Sequence, residues 1–153
     1  MNRTLQIWLK RLGEKETSRM RVMLDTNIII SVAIFQSPIL ETLLNDITDN
    51  HKLILPSYVI DELNEVVVKK FPTKQQLIDN FLLKVPYEIE YTPKSIPDLP
   101  GIKIRDKDDK AILYSAITAE VDILITGDKD FCNINIEKPK IMTARAFLDK
   151  YQE

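Results

Sequence analysis

The sequence predicts an α/β fold, a three-layer α/β/α arrangement with a central, mainly parallel sheet. Short apolar runs typical of buried strands alternate along the chain with longer segments whose apolar residues recur at helical spacing. Such alternation favours parallel strands joined by right-handed helical crossovers. With 153 residues, 44% of them apolar and 29% charged, the composition is that of a globular domain with one hydrophobic core.

Five segments are predicted strands because each is a short apolar or alternating run bounded by polar residues or proline. In chain order they are RVMLD at 21–25, KLILP at 52–56, PYEIEYTP at 86–93, VDILIT at 121–126 and the first part of KPKIMTARAFLDKY at 138–151.

The segments between these strands carry apolar residues at helical spacing. The predicted helices are a run from about 27 that breaks before Pro38, a second over 38–49, SYVIDELNEVVVKKF at 57–71, 73–84, KAILYSAITAE at 110–120 and a last helix in TARAFLDKY at 143–151. Ser57 and Thr73 are the predicted N-caps of the third and fourth helices. The stretch 93–101 holds three prolines and a glycine and is a predicted loop.

Residues 1–20 form a predicted N-terminal extension with one short amphipathic helix, because Leu5, Trp8, Leu9 and Leu12 are spaced for one apolar face. Trp8 is interpreted as an anchor that docks this helix. Residues 21–153 form the predicted domain.

The composition excludes several classes of site. Cys132 is the single cysteine and His51 the single histidine, so neither an internal disulfide nor a cysteine-histidine zinc site is expected. Three glycines in the whole chain leave no glycine-rich phosphate loop. No apolar run reaches the roughly 20 residues of a membrane span, and the first residues lack the pattern of a signal peptide, so a cytoplasmic protein is expected.

Acidic residues fall where the loops of such a sheet meet. Asp25 closes the first strand, and Asp128 follows the strand DILIT after one glycine. Asp106 and Asp109 precede or open a helix three positions apart, and Glu62 lies in the helix after KLILP. Parallel strands place their carboxyl ends at one edge, where open α/β sheets bind ligands.

Carboxylates that converge at this edge need a compensating charge. Two of them about 4 Å apart repel by roughly 4 kcal/mol at an effective dielectric near 20, whereas a helix N-terminus returns only about 0.3–1 kcal/mol. A divalent cation with oxygen ligands, Mg²⁺ or Mn²⁺, resolves the repulsion.

Each acid also has a purely structural interpretation. Asp25 can be a helix N-cap, Glu62 a solvated helix residue, and Asp128 part of a turn, while a capping box accounts for Asp106 together with Asp109. Asp130 is expected to lie outside the site.

The polar residues next to these acids are candidates for supporting roles in the site. Thr26, Asn27 and Thr126 are candidates to orient the carboxylates by hydrogen bonds. Lys107, Lys110 and Lys129 are either phosphate contacts or a solvated charged face.

Four segments, LDTNIII, PSYVIDEL, RDKDDKAILYSAI and DILITGDKDF, resemble PIN-domain ribonucleases in their order and spacing over about 21–148. The resemblance is greatest to the VapC-like toxins of bacterial toxin–antitoxin pairs. It implies a PIN-like fold and an acidic quartet of Asp25, Glu62, Asp109 and Asp128 that binds magnesium or manganese, with Asp106 as an additional ligand.

The resemblance further implies a metal-dependent endoribonuclease that hydrolyses RNA, is silenced by a cognate antitoxin protein and forms a homodimer. For RNA hydrolysis, Asp25, Asp109 and Asp128 would hold one ion that activates water, and a second ion, held partly by Glu62 and the phosphate, would stabilise the leaving oxygen. The sequence leaves open whether one ion or two act. The alternative is a catalytically silent PIN-like module that binds RNA or a protein partner.

Overall fold

Five parallel strands form one sheet in the order β3-β2-β1-β4-β5. The structure is a computed structural model that describes residues 2–6, 19–131 and 133–152. The strands are β1 (Arg21–Leu24), β2 (Lys52–Pro56), β3 (Glu88–Glu90), β4 (Ile123–Ile125) and β5 (Lys140–Met142).

Helices on both faces cover the sheet, so the predicted three-layer α/β/α architecture with a parallel sheet is confirmed. They are α1 (Thr26–Ala33), α2 (Pro38–Asn50), α3 (Ser57–Lys70), α4 (Gln75–Lys84), α5 (Lys107–Thr118) and α6 (Ala144–Tyr151), with 3-10 turns at Pro72–Lys74 and Lys129–Phe131. Strand residues such as Met23, Ile54 and Leu124 are completely buried between these layers.

The strand order places a topological switch point at β1. From β1 the chain moves outward to β2 and β3, then returns across the sheet to lay β4 on the other side of β1 and β5 beyond it. The connections that leave β1 and β4 therefore diverge to opposite sides of the sheet. A crevice opens where connections diverge in this way, and it is the usual ligand site of an open parallel sheet.

The predicted helix caps are wrong at two positions. Pro56 is the N-cap of α3, and the Ser57 hydroxyl instead accepts a hydrogen bond from the backbone N–H of Thr92 at 2.9 Å. Thr73 lies inside the 3-10 turn, and α4 begins at Gln75 after Lys74, without a side-chain cap. At α3 a contact with a residue distant in sequence engages the predicted cap residue, and at α4 the predicted cap residue lies in the preceding 3-10 turn.

The N-terminal extension is only partly described. Residues 3–6 are helical, and Leu5 is 45% exposed. The predicted apolar face also includes Trp8, Leu9 and Leu12, which lie outside the described residues. The boundary between residues 20 and 21 stays a prediction.

In the described residues no single helix is long and apolar enough to cross a membrane. Taken together, α1 and α2 have the length and apolar composition of a membrane span, but the two helices are bent by 110° relative to each other.

Candidate metal centre

Asp25 stands at the switch point, directly after β1, and its carboxylate is held on both oxygens. Its backbone N–H continues the β1–β4 ladder by donating to the carbonyl of Ile125 at 3.1 Å. Oδ1 caps α1 by accepting from the N–H of Ile28 at 3.1 Å, and Oδ2 accepts from the hydroxyl of Thr126. The helix-cap reading of Asp25 is therefore confirmed, and the same geometry fixes the carboxylate at the edge of the sheet.

Thr126 links the two strand ends. While its hydroxyl donates to Asp25, its oxygen accepts from the backbone N–H of Asp128 at 3.0 Å. The side chain is only 4% exposed, so its bond to Asp25 is shielded from competing water. One threonine thus sets the position of Asp25 and the turn that carries Asp128, as the sequence predicted for an orienting residue.

Asp109 and Asp128 meet next to this link, together with Asp130. One carboxylate oxygen of each of the three residues lies within 4.8 Å of the other two. Asp128 is half-buried and also accepts from the N–H of Asp130 at 2.9 Å, because the 3-10 turn after β4 folds back on it. The expectation that Asp130 lies outside the site does not match this geometry.

Asp109 is the most buried member of this cluster. It is 8% exposed, and its Oδ2 is one of two buried side-chain oxygens in the described residues that lack a hydrogen-bond partner. Burial, followed by the charges of Asp128, Asp106 and Asp130, raises the pKa of Asp109 from 3.8 to about 7. Protonated Asp109 has a hydrogen to donate to the neighbouring Asp128 carboxylate, whereas the ionised pair has no donor between its oxygens.

The donor set fits a divalent cation with a preference for oxygen. Two carboxylates at 4.8 Å repel by about 3 kcal/mol at an effective dielectric near 20. Burying an oxygen without a hydrogen-bond partner costs more free energy when the oxygen is charged. A hard cation such as Mg²⁺ or Mn²⁺ supplies the missing positive charge and takes carboxylate oxygens as ligands.

Asp106 occupies the N-cap of α5. Its Oδ1 accepts from the N–H groups of Asp108 at 2.7 Å and Asp109 at 3.4 Å, and the side chain is exposed. The structure thus shows the capping role that the sequence left open. A role for Asp106 as metal ligand stays a prediction.

Glu62 approaches the other side of Asp25 from α3. Its Oε2 accepts from the Thr26 hydroxyl at 2.6 Å, so Thr26 orients a predicted site residue as expected. Burial raises the pKa of Glu62 most strongly, and the charges of Asp25 and Asp106 raise it further, although the hydrogen bond from Thr26 lowers it. Burial likewise raises the pKa of Asp25 despite the bonds from Thr126, Ile28 and the backbone of Asn27. Of the four predicted acids, Asp109 and Asp128 belong to the three-carboxylate cluster, while Asp25 and Glu62 lie outside it. Asp25 is close enough to feel the charge of Asp128, and Glu62 that of Asp25. The role of Asp25 and Glu62 as metal ligands stays a prediction.

The flanking lysines differ from one another. Lys110 donates to Asp98 at 2.6 Å and so ties the start of α5 to the preceding loop. Lys107 and Lys129 are exposed beside the acids. His51 lies far along the chain from these residues; its Nδ1 accepts from the backbone N–H of Met20 at 3.2 Å, which is a structural role. Cys132 lies outside the described residues.

Comparison with known proteins agrees with this fold. The chain is similar to the VapBC2 structure from Rickettsia felis, solved bound to a DNA fragment from its promoter, with 23% identity, a TM-score of 0.62 and coverage of 80% of this chain and 97% of that one. It is also similar to VapBC-1 from nontypeable Haemophilus influenzae, with 20% identity, a TM-score of 0.57 and coverage of 82% and 99%.

The remaining comparisons concern sequence. No curated protein matches the chain. The family model described as the PIN domain matches residues 21–130, which cover the sheet through β4 and every acid of the candidate site. The chain belongs to the PIN-domain family.

Proposed function

We propose that this protein is a metal-dependent endoribonuclease that hydrolyses RNA phosphodiester bonds and acts as the toxin of a toxin–antitoxin pair. The observation that carries the proposal is the cluster of Asp109, Asp128 and Asp130, whose buried Asp109 Oδ2 has no hydrogen-bond partner. Membership of the PIN-domain family supports the nuclease class. The likeness to VapBC structures supports the toxin role.

Asp109 and Asp128, with Asp130 at the exposed side, are the residues to hold the ion, and Asp25 adds negative charge next to Asp128. When bound, Mg²⁺ or Mn²⁺ lowers the pKa of a coordinated water and neutralises charge on the phosphate oxygens. Asp106 is proposed as a further contributor at the entrance, since its charge reaches both Asp109 and Glu62.

The chain's own residues fix the acids before substrate arrives. Thr126 holds Asp25, and Thr26 holds Glu62, so neither carboxylate is free to rotate away from the edge. Burial raises the pKa of Glu62, which makes its carboxylate a stronger base for activating water. We assign Glu62 this role, with the substrate phosphate beside it.

Phosphates of the RNA contact the rim of the site in this proposal. Lys107 and Lys129 are exposed and adjoin Asp106 and Asp128 in the chain, where cations attract the backbone of a nucleic acid without reading its sequence. Lys110 is already engaged by Asp98.

The partners are proposed by analogy. The similar structures are VapBC assemblies, so we propose a cognate antitoxin protein as the inhibitor of this chain. A homodimer is proposed as its working form by resemblance to PIN-domain toxins alone. Both are testable by co-expression with the protein encoded by an adjacent small reading frame and by mass measurement in solution.

The direct test is cleavage of fluorescent single-stranded and hairpin RNAs by purified protein in Mg²⁺, in Mn²⁺ and in EDTA. We expect cleavage only with metal, and a loss of at least about 100-fold in Asp25→Asn and Asp128→Asn. Asp149→Asn, which alters an exposed acid on α6, is the matched control and should retain full activity. Full activity in Asp25→Asn or Asp128→Asn would refute the assigned site, and RNA binding without cleavage would favour the silent module.

A further inference from the structure

Three hydroxyl groups join two helices that both carry proposed site residues. Ser57 opens α3, Ser115 lies in the middle of α5, and Thr92 lies in the segment that follows β3. The Thr92 Oγ1 lies 3.0 Å from the Ser115 Oγ, and the Thr92 backbone N–H donates to the Ser57 Oγ at 2.9 Å. We call Ser57, Thr92 and Ser115 the hydroxyl clasp.

The direction of each bond in the clasp follows from counting protons. Ser115 donates its only hydroxyl proton to the carbonyl of Ala111 at 2.8 Å, so Thr92 must donate to Ser115. The oxygen of Thr92 also accepts from the backbone N–H of Tyr58 at 3.3 Å. Thr92 therefore bonds to α3 twice and to α5 once, and Ser115 is 1% exposed, which keeps water out of the last contact.

A second contact lies on the same faces of the two helices. The hydroxyl of Tyr58 donates to a carboxylate oxygen of Asp108. Asp108 and Ser115 are seven residues apart in α5, about two helical turns, so both point towards α3. Tyr58 and Glu62 are four residues apart in α3 and share a face in the same way.

These contacts bear on the candidate site because α3 carries Glu62 and α5 carries Asp109. The two residues lie 47 positions apart in the chain, on helices that leave different parts of the sheet. Thr92 bonds directly to both helices. Its loss leaves Tyr58 without an acceptor for its N–H and separates Ser115 from α3.

We propose that Thr92 is a positioning residue: by bonding to the start of α3 and to Ser115 of α5, it fixes the placement of Glu62 relative to Asp109. The inference rests on the proposed function of the acidic site. It predicts that removing one partly buried hydroxyl, with no change in side-chain shape, slows turnover while metal binding and the contacts to RNA stay intact.

The test compares Thr92→Val, which keeps the shape of threonine and removes the hydroxyl, with Thr92→Ser, which keeps the hydroxyl. The control is Thr42→Val, which removes an exposed hydroxyl bonded only to Pro38 within α2. Ser115→Ala breaks the same link from the α5 side. For each full-length variant, thermal unfolding reports folding, electron paramagnetic resonance reports Mn²⁺ affinity, and RNA cleavage gives kcat and KM.

We expect the kcat of Thr92→Val and Ser115→Ala to fall about tenfold, since a small misplacement of a catalytic group can cost up to about 100-fold. Their KM and Mn²⁺ affinity should be unchanged, because the ion is held by Asp109, Asp128 and Asp130 in this proposal. Thr92→Ser should restore kcat, and Thr42→Val should match the wild type. A kcat of Thr92→Val within twofold of the wild type would overturn the inference, and so would failure of Thr92→Ser to restore it. A wild type that neither binds Mn²⁺ nor cleaves RNA overturns the proposed function itself, and this inference with it.

Discussion

Replacement of Asp109 by asparagine should stabilise the metal-free protein at pH 8. In the folded protein the pKa of Asp109 is raised from 3.8 to about 7, first by burial and then by the charges of Asp128, Asp106 and Asp130. Below about pH 4 the carboxyl is protonated in both the folded and the unfolded protein, so it does not lower the free energy of unfolding. As pH rises towards 7 the unfolded chain loses this proton while the folded protein retains it, so stability falls, and above about 7 the loss is constant.

The magnitude follows from the shift. A rise from 3.8 to about 7 corresponds to at most about 4 kcal/mol, at 1.36 kcal/mol per pKa unit. Water and neighbouring groups screen part of the charge repulsion, so we expect Asp109→Asn to raise the free energy of unfolding by about 1–2 kcal/mol at pH 8. For a chain of 153 residues this is a melting temperature about 3–6 °C higher.

The assay is thermal unfolding at pH 5 and pH 8, in EDTA and in Mn²⁺. Asp149→Asn is the control for loss of an exposed acid. In Mn²⁺ the order should reverse, because an ion at 100 times its dissociation constant stabilises the wild type by about 2.7 kcal/mol and Asp109→Asn loses most of this gain. An Asp109→Asn variant that is no more stable than the wild type in EDTA at pH 8 would show that the buried, unpartnered carboxylate does not destabilise the fold.

Three further variants separate the roles of neighbouring residues. Thr126→Val should weaken Mn²⁺ binding by about 10–100-fold in calorimetry, because Asp25 and the Asp128 turn lose their shared hydroxyl; affinity equal to the wild type would contradict the orienting role. Asp130→Asn should weaken Mn²⁺ binding in the same titration but leave the melting temperature in EDTA unchanged or higher, and unaltered affinity would place it outside the site. Asp106→Ala should lower the free energy of unfolding by about 0.5–2 kcal/mol in urea while Asp106→Asn, which keeps an acceptor, does not; equal losses would argue against the cap.

Much of the fold was predictable because its signals are local. Each strand is a short apolar run, each helix has apolar residues at helical spacing, and parallel pairing follows from their alternation. The convergence of Asp25 and Asp128 was predictable for the same reason, since residues that follow parallel strands share an edge. The strand order that makes β1 and β4 neighbours depends on the whole sheet and is absent from any local pattern.

The details that sequence reasoning missed depend on turns and distant contacts. Asp130 joins the cluster because a 3-10 turn folds it back onto Asp128, which the expectation that it lies outside the site did not take into account. Ser57 does not cap α3 because its oxygen is taken by Thr92, 35 residues away. A local signal for Asp130 did exist, namely the repeated acid in GDKD directly after a strand.

We propose that Asp109, Asp128 and Asp130, beside Asp25, share one divalent ion. Anomalous diffraction from crystals grown with Mn²⁺ locates such an ion without reference to activity. We expect one strong anomalous peak within coordination distance of the Asp109 and Asp128 carboxylates, with the Oδ2 of Asp109 turned to the ion. No peak at millimolar Mn²⁺, or a peak only at acids elsewhere on the surface, would contradict it.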